Sequence, residues 1–235
     1  MSAETNLTKE NLDIIFRELG KQYRKLVRKN VPAELTVVGG AAVLISYGFR
    51  DMTNDIDAII QAGSAMKEAA DIVRDKFGLG NGWLNSDFVH TSSYTDKLAF
   101  YSVPYKTFSN VLSVRIITGE YLIAMKLKAG RIYKNDISDI IGILLFERNR
   151  GNCISLDHIM AASQKLYDNW ENIPERSRNF IISVFSDNDL EELYGIYRNN
   201  EIIASRQLDA LEVKYQDILT KDNVNDVLEA LLRKR

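Results

Sequence analysis

Two carboxylates one residue apart, Asp55 and Asp57, are spaced to hold a divalent metal ion. They open a stretch of apolar residues that is typical of a buried strand. Because residues i and i+2 of a strand point to the same face, we expect the two carboxylates side by side and Ile56 and Ala58 on the other face. One or two carboxylates are the protein ligands that Mg²⁺ commonly takes, with water and substrate phosphates completing its shell. The pair therefore predicts Mg²⁺, or Mn²⁺ in its place, together with an NTP.

A glycine pair, Gly39 and Gly40, lies upstream of the acids, between an apolar segment and a second apolar segment of helical pattern. Glycines at a helix N-terminus have no side chains that shield the backbone N–H groups. These groups can therefore donate hydrogen bonds to a phosphate. Glycine pairs by themselves mark ordinary turns more often than phosphate sites. The prediction of a phosphate site therefore depends on the position of the pair between a strand and a helix.

Arg50 and Thr53 precede the acids and offer polar groups to the same ligand. The planar guanidinium of Arg50 suits a phosphate, and the hydroxyl of Thr53 suits a metal ligand or a phosphate oxygen. The alternatives are an ion pair of Arg50 with Asp51 or Asp55, and a hydrogen bond of Thr53 to its own turn. For the acids the alternative is a solvated pair at a strand end, with Asp55 in a turn. Two acids on one face leading into an apolar strand repel each other, which favours the metal.

The elements that position these residues alternate between helices and strands. A first helix is expected from Thr8 to about residue 29, ended by Pro32. The later segments are expected as strand 34–38, helix 41–47, strand 55–60, helix 64–77, and strands 98–103 and 111–117 separated by a loop containing Pro104. This order predicts an α/β fold with a short mixed sheet.

Beyond residue 119 the periodicity is helical throughout. The expected helices are 120–131, 136–149, 155–169, 175–185, 187–198, 200–219 and 223–233. The change in pattern indicates a boundary near residue 118, or near Gly151 if the helices bearing Lys126 and Asp136 complete the site. We divide the chain into an α/β domain, 1–150, and a helical C-terminal region, 151–235.

The glycines and acids resemble a known motif. The run Val-Val-Gly-Gly at residues 37–40, followed by Arg-x-x-Thr-x-Asp-Ile-Asp at residues 50–57, resembles the first motif of the DNA-polymerase-β-type nucleotidyltransferase superfamily. The resemblance is closest to the AbiEii-like and uncharacterised bacterial branches. Together with a second segment it covers roughly residues 34–60 and 118–145. The two segments stand in the order that the branches show, which is hard to obtain by chance.

The second segment, residues 120–131 followed by Asp136 and Asp139, resembles the lysine-bearing helix and the Asp-x-x-Asp of those branches. The resemblance implies that Lys126 contacts nucleotide phosphate, with Lys128 and Arg131 as less favoured neighbours. It implies that Asp136 and Asp139 orient Lys126 or the acceptor hydroxyl. From the residues alone, Lys126 could instead be an ordinary exposed lysine, and the two acids could stabilise the start of a helix.

The resemblance also implies an activity: Mg²⁺-dependent transfer of a nucleoside monophosphate from an NTP to a hydroxyl of an unknown acceptor, which is RNA, protein or a small molecule. The catalytic residues implied are Asp55, Asp57, Lys126 and Asp136, and the nucleotide-binding residues are Gly39, Gly40, Arg50, Thr53 and Lys126. If the AbiEii-like resemblance extends to biology, the acceptor is a tRNA end or a protein hydroxyl. The protein is then a toxin paired with an antitoxin-like partner.

One departure from the superfamily pattern concerns a third carboxylate. The superfamily often carries it on a neighbouring strand, but segment 112–117 has Ser113 and Arg115 instead. Single-metal catalysis remains open, with Asp136, Glu120 or Asp96 as the base. The alternative function is a catalytically inactive nucleotidyltransferase-fold protein that binds a nucleotide or a protein partner.

Composition narrows the class of protein. The 235 residues are 46% hydrophobic and 26% charged, as in ordinary globular proteins, and the net charge of −2 argues against coating nucleic acid through bulk charge. A single cysteine excludes an internal disulfide, and with two histidines it makes a zinc site implausible. The apolar runs are far shorter than the roughly 20 residues of a membrane span, and the start lacks a signal-peptide pattern. The expected location is the bacterial cytoplasm, away from the membrane.

Overall fold

The computed structural model of the chain describes residues 5–27, 31–131, 135–187 and 189–214, without the side chains of 209 and 211–214. The chain divides into two compact units, Met1–Leu122 and Ile123–Arg235. Their boundary falls inside a helix, Gly119–Ala129. Within the described ranges, no helix is both long and apolar enough to cross a membrane.

The first unit alternates helices and strands. Its elements in chain order are β1 Leu7–Thr8, α1 Lys9–Leu26, β2 Ala33–Val37, α2 Gly39–Ser46, β3 Met52–Thr53, β4 Ile56–Gln61, α3 Ala65–Phe77, β5 Leu84–Asn85, β6 Ser102–Phe108, β7 Leu112–Ile117 and the start of α4 Gly119–Ala129. The predicted α/β class is confirmed.

Five strands among the described residues form one mixed sheet in the order β5-β4-β2-β7-β6. The outer pair β4 and β5 and the central pair β2 and β7 are parallel, whereas β2 with β4 and β6 with β7 are antiparallel. Strands β1 and β3 pair separately as a two-stranded sheet. The C-terminal end of β2 and the N-terminal end of β4 therefore lie beside the turn that enters α2.

Helix α1 packs the core of the first unit and begins where the sequence predicts. The Thr8 N–H donates to Asn11 Oδ1 at 2.9 Å, which satisfies a backbone donor at the helix start. Its fully buried side chains follow the helical period: Leu12, Ile15, Phe16, Leu19 and Tyr23. The helix ends at Leu26, and the last part of its predicted range lies outside the described residues.

The strand predicted at 98–103 is wrong. Residues Asp96–Tyr101 form a 3₁₀ helix, and the Thr95 side chain accepts a hydrogen bond from Lys97 N–H at its start. The strand β6 begins only at Ser102 and runs through Pro104, which the sequence placed in a loop. β6 is an edge strand of the sheet, where proline is tolerated, and its register with β7 shifts between Pro104 and Lys106.

The second unit is helical over its described residues, as predicted. It contains the end of α4, then α5 Asp136–Asn149, α6 Leu156–Tyr167, α7 Glu175–Ser186 and α8 Leu190–Lys214, with a 3₁₀ turn at Trp170–Asn172. The predicted break between helices 187–198 and 200–219 is wrong. Asn199 and Asn200 are exposed within a continuous α8, because polar side chains on the solvent face do not end a helix. The helix predicted at 223–233 lies outside the described residues.

Candidate functional site

The turn between β2 and α2 brings a glycine and a carboxylate together. Gly39, at the first position of α2, has a φ of +63°, which glycine adopts without strain. The N–H of the preceding Val38 donates to the Asp57 carbonyl at 2.9 Å, so this turn is tied to β4. A Cβ added to Gly39 would lie 3.0 Å from Asp57 Oδ2. Glycine therefore allows both the turn and the close approach of the carboxylate to the start of the helix.

The next glycine, Gly40, lies against two further predicted site residues. A Cβ at this position would overlap with Arg50 Nη1 and would lie 3.1 Å from Thr53 Oγ1. Thr53 is buried, and its hydroxyl donates to the Asp55 carbonyl at 3.3 Å. The turn hydrogen bond that the sequence left as the alternative for Thr53 is thus present. The guanidinium and the hydroxyl both lie at the N-terminal end of α2.

The acids Asp55 and Asp57 flank the first residue of β4. The strand begins at Ile56, one residue later than predicted, so Asp55 immediately precedes it. Ile56 and Ala58 are fully buried, whereas both acids keep partial solvent exposure. This alternation is what the i, i+2 spacing predicts. On the neighbouring strand β5, Asn85 is the register partner of Asp57.

The donor set around Asp57 is of the kind that magnesium binds. Asp55 and Asp57 offer hard oxygen atoms with solvent access. The part of the chain that the structure describes gathers no group of three or more His, Cys, Asp or Glu side chains at a metal-binding distance. Thr36 of β2 pairs with Ile59 of β4 and with Arg115 of β7. Ser113, Arg115 and Ile117 of β7 therefore face the same side of the sheet as Asp57, and none of them is a carboxylate. Two carboxylates are thus the acidic ligands that this part of the sheet offers.

Lys126 and Asp136 meet in the second unit, in a buried network with Arg131 and Asp139. Lys126 Nζ lies 2.7 Å from Asp136 Oδ1 and 2.8 Å from Asp139 Oδ2. Arg131 Nε donates to Asp136 Oδ2 at 2.8 Å. The side chain of Lys126 is 2% exposed, so the alternative of an ordinary exposed lysine is wrong. Both acids lie in the first turn of α5, and both use their carboxylates in ion pairs.

The charge balance of this network keeps Asp136 ionised. Burial alone would raise the pKa of Asp136, but the charges of Lys126 and Arg131 and their hydrogen bonds outweigh it and hold the pKa at about 2. Two cations and two carboxylates compensate each other within hydrogen-bonding distance. A direct contact of Lys126 with phosphate therefore requires that Lys126 exchange one of these partners.

Glu201 joins the same region from α8 and escaped the sequence analysis. Its Oε1 accepts the Ser138 N–H of α5 at 3.0 Å, and its side chain is 7% exposed. Burial raises the pKa of Glu201 to about 7; the hydrogen bond from Ser138 opposes the rise and the charge of Asp139 adds to it. The sequence could indicate that Arg131 and Asp139 lie near Asp136, since they are only three to five residues away from it. It holds no such indication for Glu201, because only the packing of α8 on α5 brings it near.

The structure thus brings the predicted residues together in two sets. Gly39, Gly40, Arg50, Thr53 and Asp57 lie at one helix end of the first unit, with Asp55 preceding the same strand. Lys126 and Asp136 lie together in the second unit. Of the other predicted bases, Glu120 Oε1 accepts the Thr118 hydroxyl at 3.0 Å, and Asp96 lies in the first turn of a 3₁₀ helix.

A comparison with protein families matches residues 15–186, more than half of the chain, to the family described as nucleotidyltransferase of unknown function (DUF6036). The matched segment includes every predicted site residue. No curated protein and no solved structure matches the chain. The match confirms the predicted nucleotidyltransferase superfamily, and the chain belongs to this family of nucleotidyltransferases of unknown function.

Proposed function

We propose that the chain transfers a nucleoside monophosphate from an NTP bound with Mg²⁺, or Mn²⁺, to a hydroxyl of an acceptor molecule. The observation that carries the proposal is the approach of Asp57 Oδ2 to the glycine at the start of α2. A phosphate bound at the backbone N–H groups of this helix end lies beside a carboxylate. Two such anions repel each other at short range unless a divalent cation lies between them.

The chain's residues fit the metal. Asp55 and Asp57 would hold it through carboxylate oxygens, and water and the triphosphate would supply its other ligands. Gly39 keeps open the space between the helix end and Asp57, which a side chain would fill. When bound, the metal neutralises charge that develops on the phosphates and the leaving pyrophosphate.

The remaining residues of the first unit bind and orient the triphosphate. The backbone N–H groups at Gly39 and Gly40 hold phosphate oxygens, and the guanidinium of Arg50 neutralises their charge. Thr53 holds the turn through its bond to the Asp55 carbonyl, which positions that acid. In the reaction the acceptor oxygen bonds to the α-phosphorus, the bond to pyrophosphate breaks, and the acceptor proton passes to a base.

The role of Asp136 follows from its ion pairs. With a pKa of about 2, its carboxylate is a weaker base than an ordinary aspartate at neutral pH. We therefore assign Asp136, with Asp139, to positioning Lys126 rather than to removing the proton. The phosphate contact that the resemblance assigns to Lys126 stays a prediction.

A second candidate function is nucleotide binding without turnover. The observation that favours it is Arg115, which stands on β7 on the same side of the sheet as Asp57. Arg115 donates to the Ser102 hydroxyl at 2.9 Å and to the Ser102 carbonyl. Its side chain therefore stabilises the start of the edge strand β6. A third carboxylate at this position would supply a second-metal ligand or a base, and Arg115 supplies neither.

The AbiEii-like resemblance guides the choice of acceptor. Under this extension the acceptor is a tRNA end or a protein hydroxyl in the bacterial cytoplasm, and the protein is a toxin held by an antitoxin-like partner. Both acceptor classes are present in total cell extract, together with small molecules that carry hydroxyls. An assay that offers them together identifies the acceptor without prior assumption.

The experiment incubates the full chain with each of the four α-labelled NTPs, Mg²⁺ or Mn²⁺, and total cellular RNA and protein. The matched variant carries Asp55→Asn and Asp57→Asn, which remove both charges while keeping side-chain size. Label transfer to an RNA, protein or small-molecule fraction by the wild type alone supports the proposal and identifies the acceptor class.

A parallel titration of NTP binding separates the two candidate functions. Metal-dependent NTP binding without transfer selects the non-catalytic protein. Equal transfer, or equal metal-dependent NTP binding, by the wild type and the double variant overturns the metal site.

A further inference from the structure

The solvent face of α1 carries a row of cations. Arg17, Lys21, Arg24 and Lys25 are all exposed. Lys21 lies four residues after the first of them, and the last two lie three and four residues after Lys21. Residues at these spacings are neighbours on one face of a helix, and the buried side chains of α1 lie on its other face. We refer to the four residues as the cationic face of α1.

Little acidic charge compensates the cationic face. Asp13, which stands before it on α1, pairs with Lys106 of β6. Glu18 Oε2 lies 2.9 Å from Lys76 Nζ of α3. Both acids attract the cationic face at longer range, but each is already matched by a cation from another element. Glu10 lies in the first turn of α1, about 10 Å along the helix from the first of the four cations.

The ion pairs among the described residues leave the whole cationic face out. The chain as a whole has a net charge of −2, so its charge is distributed unevenly, with a positive excess on this helix. Such an excess attracts polyanions, and its effect on binding falls as the salt concentration rises.

The helix runs along the sheet from one end to the other. Arg24 Nη1 donates to the carbonyl of Ser109, in the turn between β6 and β7, at 3.4 Å. The Ser109 hydroxyl donates to the Arg17 carbonyl at 3.2 Å. Because β7 is parallel to β2, this turn lies at the end of the sheet opposite to the turn that enters α2. The cationic face therefore extends away from the candidate site.

The start of α1 lies beside the candidate site. Leu7 of β1 pairs with Thr53 of β3, whose hydroxyl lies near Gly40. At a rise of 1.5 Å per residue, Arg17 and Lys25 lie about 12 and about 24 Å along the helix axis from its first residue. A ligand that reaches both the site and the cationic face is therefore an extended chain that carries several negative charges.

RNA fits this requirement better than an acidic protein segment. Protein interfaces place apolar and aromatic side chains at their centre and are depleted of charge there. The cationic face consists of charged side chains, and the exposed Ile14 stands three residues before it. Rows of lysine and arginine neutralise the regularly spaced phosphates of a nucleic acid, and these contacts supply much of its affinity. An RNA chain also ends in a hydroxyl, the group that the proposed transfer requires.

We propose that the cationic face of α1 binds the phosphate backbone of a single-stranded RNA whose end is the acceptor. Binding to this face requires neither metal nor NTP. The assignment of the RNA end as acceptor rests on the proposed function. In that step the terminal hydroxyl oxygen bonds to the α-phosphorus of the NTP, the bond to pyrophosphate breaks, and the hydroxyl proton passes to solvent.

The test of the surface is a titration of the full chain with short single-stranded RNA oligomers between about 50 and 200 mM salt. It is run with EDTA in the Asp55→Asn, Asp57→Asn background, so that a metal-dependent site does not contribute. The variant combines Arg17→Gln, Lys21→Gln and Lys25→Gln. Because each lost phosphate contact removes about 0.7 from the slope of log affinity against log salt, we expect the slope to fall by about 2 and binding to weaken about 100-fold at 0.1 M salt.

The matched control combines Arg148→Gln, Arg150→Gln and Lys165→Gln, which remove three positive charges from exposed residues of the second unit. It is expected to leave affinity and slope unchanged. Glutamine is a good helix former, and thermal melting verifies that both triple variants fold. If the α1 triple variant unfolds, Lys21→Gln alone carries the test, with binding about fivefold weaker.

A polyglutamate peptide with as many charges as the RNA tests the alternative of an acidic protein partner, and it is expected to bind more weakly. Peptide binding as tight as RNA binding overturns the choice of RNA. The absence of metal-free RNA binding, or equal RNA binding by the two triple variants, overturns the surface itself.

The labelled-NTP assay with the same RNA tests the acceptor. The α1 triple variant is expected to need a higher RNA concentration for half-maximal transfer, with NTP affinity unchanged. Transfer to protein or to a small molecule instead of RNA overturns the acceptor assignment and leaves the proposed transfer standing. Metal-free RNA binding without transfer to any acceptor contradicts the proposed function and supports the RNA surface.

Discussion

The two units differ in how deeply they bury their paired aspartates. In the first unit Asp55 and Asp57 keep partial solvent exposure, and Asp57 lies against bare glycine backbone. In the second unit Asp136 and Asp139 are 3% and 1% exposed, and Lys126 lies within 2.8 Å of both. Asp55 and Asp57 therefore keep access to solvent, whereas Asp136 and Asp139 are both paired with a buried lysine. The aspartates proposed to bind a metal are thus the solvent-accessible ones, whereas the buried aspartates belong to an ion-pair network of the second unit.

The largest effect that separates the two regions is expected from Lys126→Met. Removing the buried ammonium leaves two carboxylates without their main counter-charge, which costs about 3–5 kcal/mol of unfolding free energy. Denaturant titration measures it. The control is Lys128→Met on the same helix, which loses a bond to the Asn172 carbonyl at the surface and is expected to cost under about 1 kcal/mol. Equal losses in the two variants would show that the network contributes no special stability.

In contrast to Lys126→Met, Asp57→Asn is expected to lower transfer activity and to leave the stability of the fold nearly unchanged. Under the proposed function, transfer falls about 10²–10³-fold, because the variant removes a proposed metal ligand and its charge from the site of the reacting phosphates. The melting temperature stays within a few degrees, since the side chain is partly solvated. Chelation by EDTA lowers NTP binding by the wild type and adds little in the variant. A large drop in melting temperature with Asp57→Asn would contradict this division of roles.

Glu201→Gln sharpens the comparison through pH. A buried carboxyl with its pKa raised from 4.5 to about 7 keeps its proton in the folded state when the unfolded state has lost it. The protonated carboxyl therefore stabilises the folded state below about pH 4.5. This contribution to the unfolding free energy, on the order of 3 kcal/mol, is lost as the pH rises to about 7. The glutamine still accepts the Ser138 N–H, so the variant flattens this decline. Urea titrations between pH 4.5 and 8 measure it.

The control for this pH effect is Glu192→Gln, an exposed residue in the first turn of the same helix, which is expected to leave the slope unchanged. Asp136 affects stability in a different pH range, and its contribution is lost on lowering the pH rather than on raising it. Its lowered pKa contributes stability that is lost only as the pH falls from about 3.8 toward 2. If the unfolding free energy of Glu201→Gln falls between pH 4.5 and 7 as steeply as that of the wild type, Glu201 is not the cause of the decline.

The smallest effect is expected from Gly40→Ala. The added methyl group overlaps with Arg50 Nη1, which is the far end of a flexible side chain and moves aside at little cost in stability. The displaced guanidinium no longer meets the phosphates, and NTP affinity falls about tenfold. Titration of NTP in the presence of Mg²⁺ measures it. The control Gly195→Ala adds a methyl group in open space on α8 and leaves affinity unchanged. Unchanged affinity in Gly40→Ala would exclude Arg50 from the phosphate site.

The fold of the first unit was largely predictable because its signals are local. The alternation of acidic and apolar residues indicated β4, and the glycine pair indicated the turn into α2. The predicted bounds of both elements are correct within a few residues. The strand at 98–103 failed because an apolar run of that length does not distinguish a 3₁₀ turn from a strand. Pro104 was placed in a loop because only the sheet order makes β6 an edge strand, where proline is tolerated.

The candidate site was predictable to the extent that it is contiguous in sequence. The motif predicted that Gly39, Gly40 and the acids belong together, and the close approach of Asp57 to Gly39 agrees with that prediction. The burial of Lys126 was not predictable, since a lysine between apolar residues on a helix serves an exposed face as readily as an ion pair.

The sequence by itself determined the α/β-to-helical order, the pairing of acids with glycines, and the nucleotidyltransferase superfamily, because each depends on residue type and short spacing. Only the tertiary structure decided which acids keep solvent access and which are buried against a lysine. Lys126, Asp136, Asp139 and Glu201 come from three helices, and their charges meet only when these helices exclude water around them. Burial is a property of the packed chain as a whole, and it determines whether a carboxylate is available to a ligand or is already bound within the protein.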